Sequence, residues 1–202
     1  MSPAAAPVLI HRNHPDRALV EGLIRDVYAR EYAAKVDSFA DQLIAMPNTE
    51  GGYMAAAGLR IGGGFFSEIY LDQPIEVLLS KHWQPPAQRG DIVEITTLAA
   101  AHPHASQALM AGILGYARAN NIRFAFFTVT ERLHMLLKRV GVPAEELAPA
   151  TAAKITNPDD WGHYYATNPR VVAIHDAFVS LPAAPSAPGA DLPFIAEDAQ
   201  RA

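Results

Sequence analysis

Cysteine is absent from the 202 residues, which removes disulfides, thiolate nucleophiles and cysteine metal sites from consideration. Long apolar runs are absent as well. No stretch approaches the roughly 18–20 residues that a bilayer-spanning helix needs, and the opening MSPAAAPVLIHRNHPD lacks the basic start and apolar core of a signal peptide. Basic charge is in deficit, with 16 Lys and Arg against 21 Asp and Glu and the basic residues scattered. A nucleic-acid partner is therefore not expected, nor is a membrane one. What remains is the profile of a cytoplasmic globular chain of the length of one domain with a real core. That domain is expected over residues 1–180, followed by a tail at 181–202, LPAAPSAPGADLPFIAEDAQRA, whose proline and alanine content predicts disorder or loose attachment.

Periodicity then supplies the elements. From Asp16 to Val36, Leu19, Leu23 and Val27 fall on one helical stripe with Val20, Ile24 and Tyr28 beside it. Ser38 to Met46, the turn NTEGG and Tyr53 to Ile61 read as a β-hairpin, since the glycines permit tight-turn backbone. PIEVLLSKHW is a short helix with Pro74 at its start, separated by the breaker QPPAQRG from an apolar strand near Glu94. A helix from about His104 to Asn120 follows, then a buried strand from Arg123 to Val129 carrying FAFF, and a helix marked by Leu133, Leu136, Leu137 and Val140 and closed by Gly141. Two parallel strands joined by a helix imply a right-handed crossover, with the hairpin extending the same sheet. WGHYYATNPRVVAIHDAFV predicts a last strand.

Within this frame Glu94 is the lone acid of an otherwise apolar and hydroxyl-bearing strand, IVEITTLAA. A carboxylate is costly to bury unless it is paired, hydrogen-bonded or used in chemistry, so it marks a candidate site. Its functional reading is a general base or an electrostatic group; its structural reading is a buried ion pair with an arginine. Strict alternation places Glu94, Thr96 and Leu98 on one face and Thr97 and Ala99 on the other, so both threonines serve one site only if a bulge kinks the strand. On the first helix, Arg25, Tyr28 and Tyr32 occupy neighbouring positions that could wall a pocket. His102 and His104 flank Pro103 beyond the acid strand and lack a third metal partner; no metal site is expected.

Five strings, AAAGLR at 55–60, FFSEIYLDQPIE at 65–76, VEITTLA at 93–99, FFTVTERLHMLLKRVG at 126–141 and WGHYY at 161–165, together resemble the thermostable hemolysin family. That family is similar to acyl-homoserine-lactone synthases and the GNAT (N-acetyltransferase) fold. The resemblance implies an α/β domain with a mixed, mostly antiparallel sheet around a β-α-β-α core, and an acyltransferase moving an acyl group from acyl-CoA or an acyl carrier protein to an amine acceptor, with amino-acid-like amines among the candidates. The thioester would be a co-substrate rather than a resident cofactor. The strands at Ile92 to Ala101 and Arg123 to Val129 would splay around the donor arm, with Leu98, Ala99, Ala100, Ala101 and Thr128 against it. Glu94 would act on the amine. Arg60 would bind an acidic group or partner Glu94 or Glu68, and Arg25, Tyr28, Tyr32, Glu68, Thr96 and Thr97 would complete the acceptor side.

The chain departs from the family pattern in three places. Thr97 stands where lactone synthases carry arginine and hemolysin-like relatives asparagine. AHPHASQ at 101–107 replaces a glycine-containing phosphate loop, and Leu137 takes the position of a tyrosine acid. The rival readings are a non-catalytic acyl- or carrier-binding protein and a membrane-active one, as the family name suggests.

Overall fold

The computed structural model describes residues 6–139 and 142–175; Gly141 and the tail at 181–202 lie outside them. Seven strands form one sheet in the order β1-β2-β3-β4-β5-β7-β6. They are β1 (Val8–His11), β2 (Gln42–Pro47), β3 (Tyr53–Ile61), β4 (Ile92–Ala100), β5 (Phe124–Val129), β6 (Glu145–Pro149) and β7 (Arg170–His175). Only β4 and β5 run parallel; every other neighbouring pair is antiparallel. The sheet is thus mixed and mostly antiparallel around a β-α-β-α core, as the sequence implied.

Helices cover both faces. On one side α3 (Pro103–Ala119) and α4 (Glu131–Arg139) pack on Val93, Ile95, Phe127 and Val172. On the other, α1 (Arg17–Tyr32) covers Leu43, Ala45, Ala56 and Ala99, while α2 (Ile75–His82) covers Ile92, Phe124, Phe126 and Val171. The two clusters on this second face leave a seam between them, and the cavity described below opens there. No helix among the described residues is long and apolar enough to cross a membrane.

Three sequence expectations need correction. The first helix stops at Tyr32, not Val36, because Ala33 takes a left-handed conformation (φ 53°), with its N–H donating to Ala29 O and the Ala34 N–H to Tyr28 O. Its buried stripe is Val20, Ile24, Val27 and Tyr28, whereas Leu19 points outward at 53% exposure. The segment from Trp161 to Thr167 is 3-10 turn, so the last strand begins only at Arg170.

Candidate functional site

The site is built on a change of behaviour along β4. From Ile92 to Ile95 the strand pairs in register with Phe124 to Phe127. Beyond that point the two strands part. In the same stretch β4 carries a bulge against β3: Thr96 faces Gly58 and Ala99 faces Ala56, so Thr97 and Leu98 oppose Ala57 alone. Thr97 absorbs the extra residue with φ at 45°, a conformation that a β-branched side chain seldom adopts. The bulge is tolerated because residue 58 has no side chain: a Cβ there would lie 2.4 Å from Thr96 Oγ1.

Thr96, Thr97 and Leu98 therefore share one cavity of about 200 Å³, which strict alternation forbids. The cavity passes through the parted strands. Ile95, Phe127, Met110 of α3 and Leu133 and Leu137 of α4 line it from one face of the sheet; Tyr28, Tyr32, Phe66, Tyr70, Trp161 and Tyr164 line it from the other. Burial holds the Tyr28 phenol above its ordinary range and pushes that of Tyr32 up to about 12, so both remain neutral hydrogen-bonding groups.

The aromatic wall at Trp161 to Tyr165 is clamped to the end of α1. The Lys35 N–H donates to Asp160 O at 2.6 Å and the His163 N–H to Tyr32 O at 2.9 Å, satisfying a carbonyl that the helix end leaves open. Gly162 makes this approach possible, with φ at 52° and a hypothetical Cβ only 2.1 Å from Tyr32 O. WGHYY thus helps to close a pocket.

Glu94 lies just behind this lining. Its carboxylate is 0% exposed and contributes nothing to the cavity wall. The Phe66 N–H donates to its Oε2 at 2.7 Å and the Ser67 N–H to its Oε1 at 2.6 Å. Burial raises the Glu94 carboxyl above its ordinary range; the Ser67 hydroxyl and amide, the Phe66 amide and the charge of Arg60 oppose that rise. Arg60 sits opposite Glu94 across β3 and β4, its Nε 3.8 Å from Oε2, and it lines the cavity. That Nε is buried without a hydrogen-bond partner. Of the sequence's two readings of Glu94, the ion pair with an arginine corresponds to this contact with Arg60.

Among the expected site residues, Tyr28, Tyr32, Arg60, Thr96, Thr97, Leu98 and Thr128 all line the cavity. The others stand apart. Arg25 pairs with Glu21 and lies over the Phe39 ring. Glu68 is bidentate to Arg89 and accepts the Ile75 N–H, so it caps α2. Ala99 is packed under α1, and Ala100 and Ala101 lie outside the lining. Sequence reasoning missed Ser67, Phe66 and Tyr70 as individual residues, although they sit in the FFSEIY string. His102 and His104 are exposed, and among the described residues no group of His, Asp and Glu is arranged to hold a metal.

A mostly antiparallel sheet whose one parallel pair parts over a bulge, with a helix crossing between the parting strands, is a GNAT-like fold. The chain belongs to the thermostable hemolysin family, whose model matches residues 10–178. Solved structures share the fold. The AHL synthase LasI has 10% identity over 85% of this chain and 91% of that one, with a TM-score of 0.55. The CoA-dependent acyl-homoserine lactone synthase BjaI, with SAM and isopentyl-CoA, gives 13%, 85%, 83% and 0.54. FeeM, an N-acyl amino acid synthase from uncultured soil microbes, gives 16%, 84%, 90% and 0.51. At such identities the likeness is one of fold. No curated protein matches the chain.

Proposed function

We propose that this protein transfers an acyl group from a thioester, acyl-CoA or an acyl carrier protein, to the amine of an acceptor that also carries an acidic group. The supporting observation is the cavity threaded through the sheet where β4 bulges and leaves β5. Parted strands expose backbone N–H and C=O groups with no ladder partner, and such groups suit an amide-bearing arm laid between them. On the α3 and α4 side the lining is apolar, from Met110, Leu133 and Leu137, which suits the acyl chain. On the other side it is aromatic and ends at Arg60, a guanidinium with an unused donor. Among the described residues Arg60 is the only charged one in the lining, and it is the natural anchor for an acceptor carboxylate.

Glu94 would remove the proton from the attacking amine. A desolvated carboxylate with a raised pKa is a stronger base than one in water, and its position behind Ser67 keeps it dry. The related folds of BjaI, described with isopentyl-CoA, and of FeeM, an N-acyl amino acid synthase, fit the donor and acceptor classes.

One observation favours a second reading, a non-catalytic acyl or carrier binder: both Glu94 oxygens are already occupied by backbone amides. Free-thiol release separates the two. Acetyl-, octanoyl- and palmitoyl-CoA and octanoyl acyl carrier protein would each be offered with and without glutamate and tyrosine. Acceptor-dependent release that a folded Glu94→Gln variant abolishes supports the transferase and its base. Donor binding without any acceptor-dependent release supports the binder.

A further inference from the structure

Acyl transfer from a thioester to an amine moves one proton off nitrogen and one onto sulfur, and among the described residues the lining of the cavity holds neither a carboxylic acid nor a histidine to do it. Glu94 is within reach only through another residue. Ser67 is that residue. It is 2% exposed, its amide is fixed on Glu94 Oε1 at 2.6 Å, and its hydroxyl lies 3.1 Å from Thr128 Oγ1. Both Ser67 and Thr128 line the cavity. Thr128 is also the first residue of β5 beyond the last one paired with β4, Phe127, so it stands at the fork of the wedge.

Resting on the acyl-transfer reading above, we propose that Ser67 is a catalytic residue: its hydroxyl carries the amine proton to Glu94 and, through Thr128, carries the same proton back to the leaving sulfur. As nitrogen attacks the thioester carbonyl, the C–N bond forms and the new ammonium gives a proton to Ser67 Oγ while the Ser67 proton moves to Glu94. The C–S bond then breaks, the electron pair leaves on sulfur, and the proton returns from Glu94 through Ser67 and Thr128 to make the thiol. One amine N–H is lost and one S–H gained, so no second acid is required. This accounts for an apolar Leu137 in the lining, at the position where the resemblance to the acetyltransferase fold implies a tyrosine acid. The other titratable groups packed around the carboxylate are Arg60 on β3 and the hydrogen-bonded pair Tyr70 and Tyr165, whose phenols burial holds above their ordinary range. Neither tyrosine changes charge near neutral pH.

The test is the rate of free-thiol release from the full chain with octanoyl-CoA and glutamate, or whichever donor and acceptor of the panel above gives the highest rate, across mildly acidic to alkaline pH. Ser67→Ala keeps the amide bond to Glu94 and removes only the hydroxyl. Its kcat should fall about 100-fold at neutral pH, with the donor KM unchanged, and the deficit should shrink toward alkaline pH as hydroxide takes over the proton. Ser67→Thr, which retains a hydroxyl, should recover most of the rate. Thr128→Val should cost about tenfold and provides an independent arm if Ser67→Ala melts early. Wild-type kcat and pH profile in Ser67→Ala, or unchanged kcat in Thr128→Val, would overturn the shuttle while leaving acyl transfer intact. A wild-type chain silent with every donor and acceptor would overturn the transfer reading and the shuttle together.

Discussion

The same two strands behave as two different materials along their length. In the first half, Ile92 to Ile95 lie against Phe124 to Phe127 in unbroken register, with Phe124, Phe126 and Ile92 fully buried. In the second half the residues become TTL on β4 and TVT running out of β5, the pairing ends, and polar atoms such as Thr97 Oγ1 are left buried without a partner. The first half is where burial and ladder hydrogen bonds are both maximal. The second gives up both to make a gap. An unpaired buried polar group costs about 1–3 kcal/mol, so the zipped half must hold the open half in place, and Glu94 sits at the junction, tying the 66–67 segment to the zipped end.

The comparison breaks hardest in the zipped half. Phe126→Ala removes a ring that is 0% exposed and stacked edge-on against Phe65; a loss of about 3–5 kcal/mol is expected in urea unfolding. Donor affinity per folded molecule should change little. An unchanged midpoint would mean the zipped half does not anchor the wedge. Gly58→Val tests the open half. Its Cβ would collide with Thr96 Oγ1 at 2.4 Å and approach Ala40 at 3.1 Å, so stability should fall by about 1–3 kcal/mol. Octanoyl-CoA affinity measured by calorimetry should fall much more than in Phe126→Ala. Equal affinities in the two variants would erase the distinction.

Arg60 lies where the halves meet, and its removal should separate function from stability. Its side chain is 31% exposed and its approach to Glu94 is loose, at 3.8 Å, so Arg60→Lys should cost less than about 1 kcal/mol of folding free energy. The KM for glutamate as acceptor should rise about tenfold, because an ammonium cannot reproduce a guanidinium fork, while the KM for ethanolamine stays put. Equal rises for both acceptors would place the acidic group elsewhere.

Much of this was legible in the sequence, and the residues show where legibility stops. The order of elements, the buried acid in IVEI and the helix between the two parting strands follow from periodicity. The alternation rule even flagged that Thr96 and Thr97 could meet only across a bulge. The edge strands did not announce themselves. Val8–His11 has four residues, and Glu145–Pro149, EELAP, combines charge with proline, so each is a strand only because β2 or β7 supplies a ladder. Ser67 had no local signature at all. Its importance comes from an amide that finds a carboxylate 27 positions away, and contacts of that kind are set by tertiary packing. Leu19 misled for the opposite reason: helical spacing identified a stripe, but which of two adjacent stripes faces the sheet is decided by the sheet.

The smallest expected effect is also the most diagnostic of the junction. Because burial raises the folded-state pKa of Glu94 above its ordinary 4.5, the folded chain binds a proton more tightly than the unfolded one. Between 4.5 and the raised value the folded state therefore carries more protons, and stability falls as pH rises through that window, by at most about 1.4 kcal/mol per pH unit. Glu21 and Glu68 have the opposite sign, since neighbouring arginines lower them; their stabilisation is fully present above the ordinary carboxylate value and is lost only as pH falls below it. His134, lowered from 6.5 mainly by burial, adds stability as pH rises toward 6.5 and would mask a simple scan. Subtraction removes it. The difference in unfolding free energy between wild type and Glu94→Gln, followed by urea titration from the carboxylate range to neutrality, cancels His134 and leaves Glu94 alone. That difference should shift steadily against the wild type as pH rises. A flat difference would mean that the two amides and Arg60 fully offset the burial, and that the zipped half ends in an ordinary carboxylate rather than a base held in reserve for the wedge.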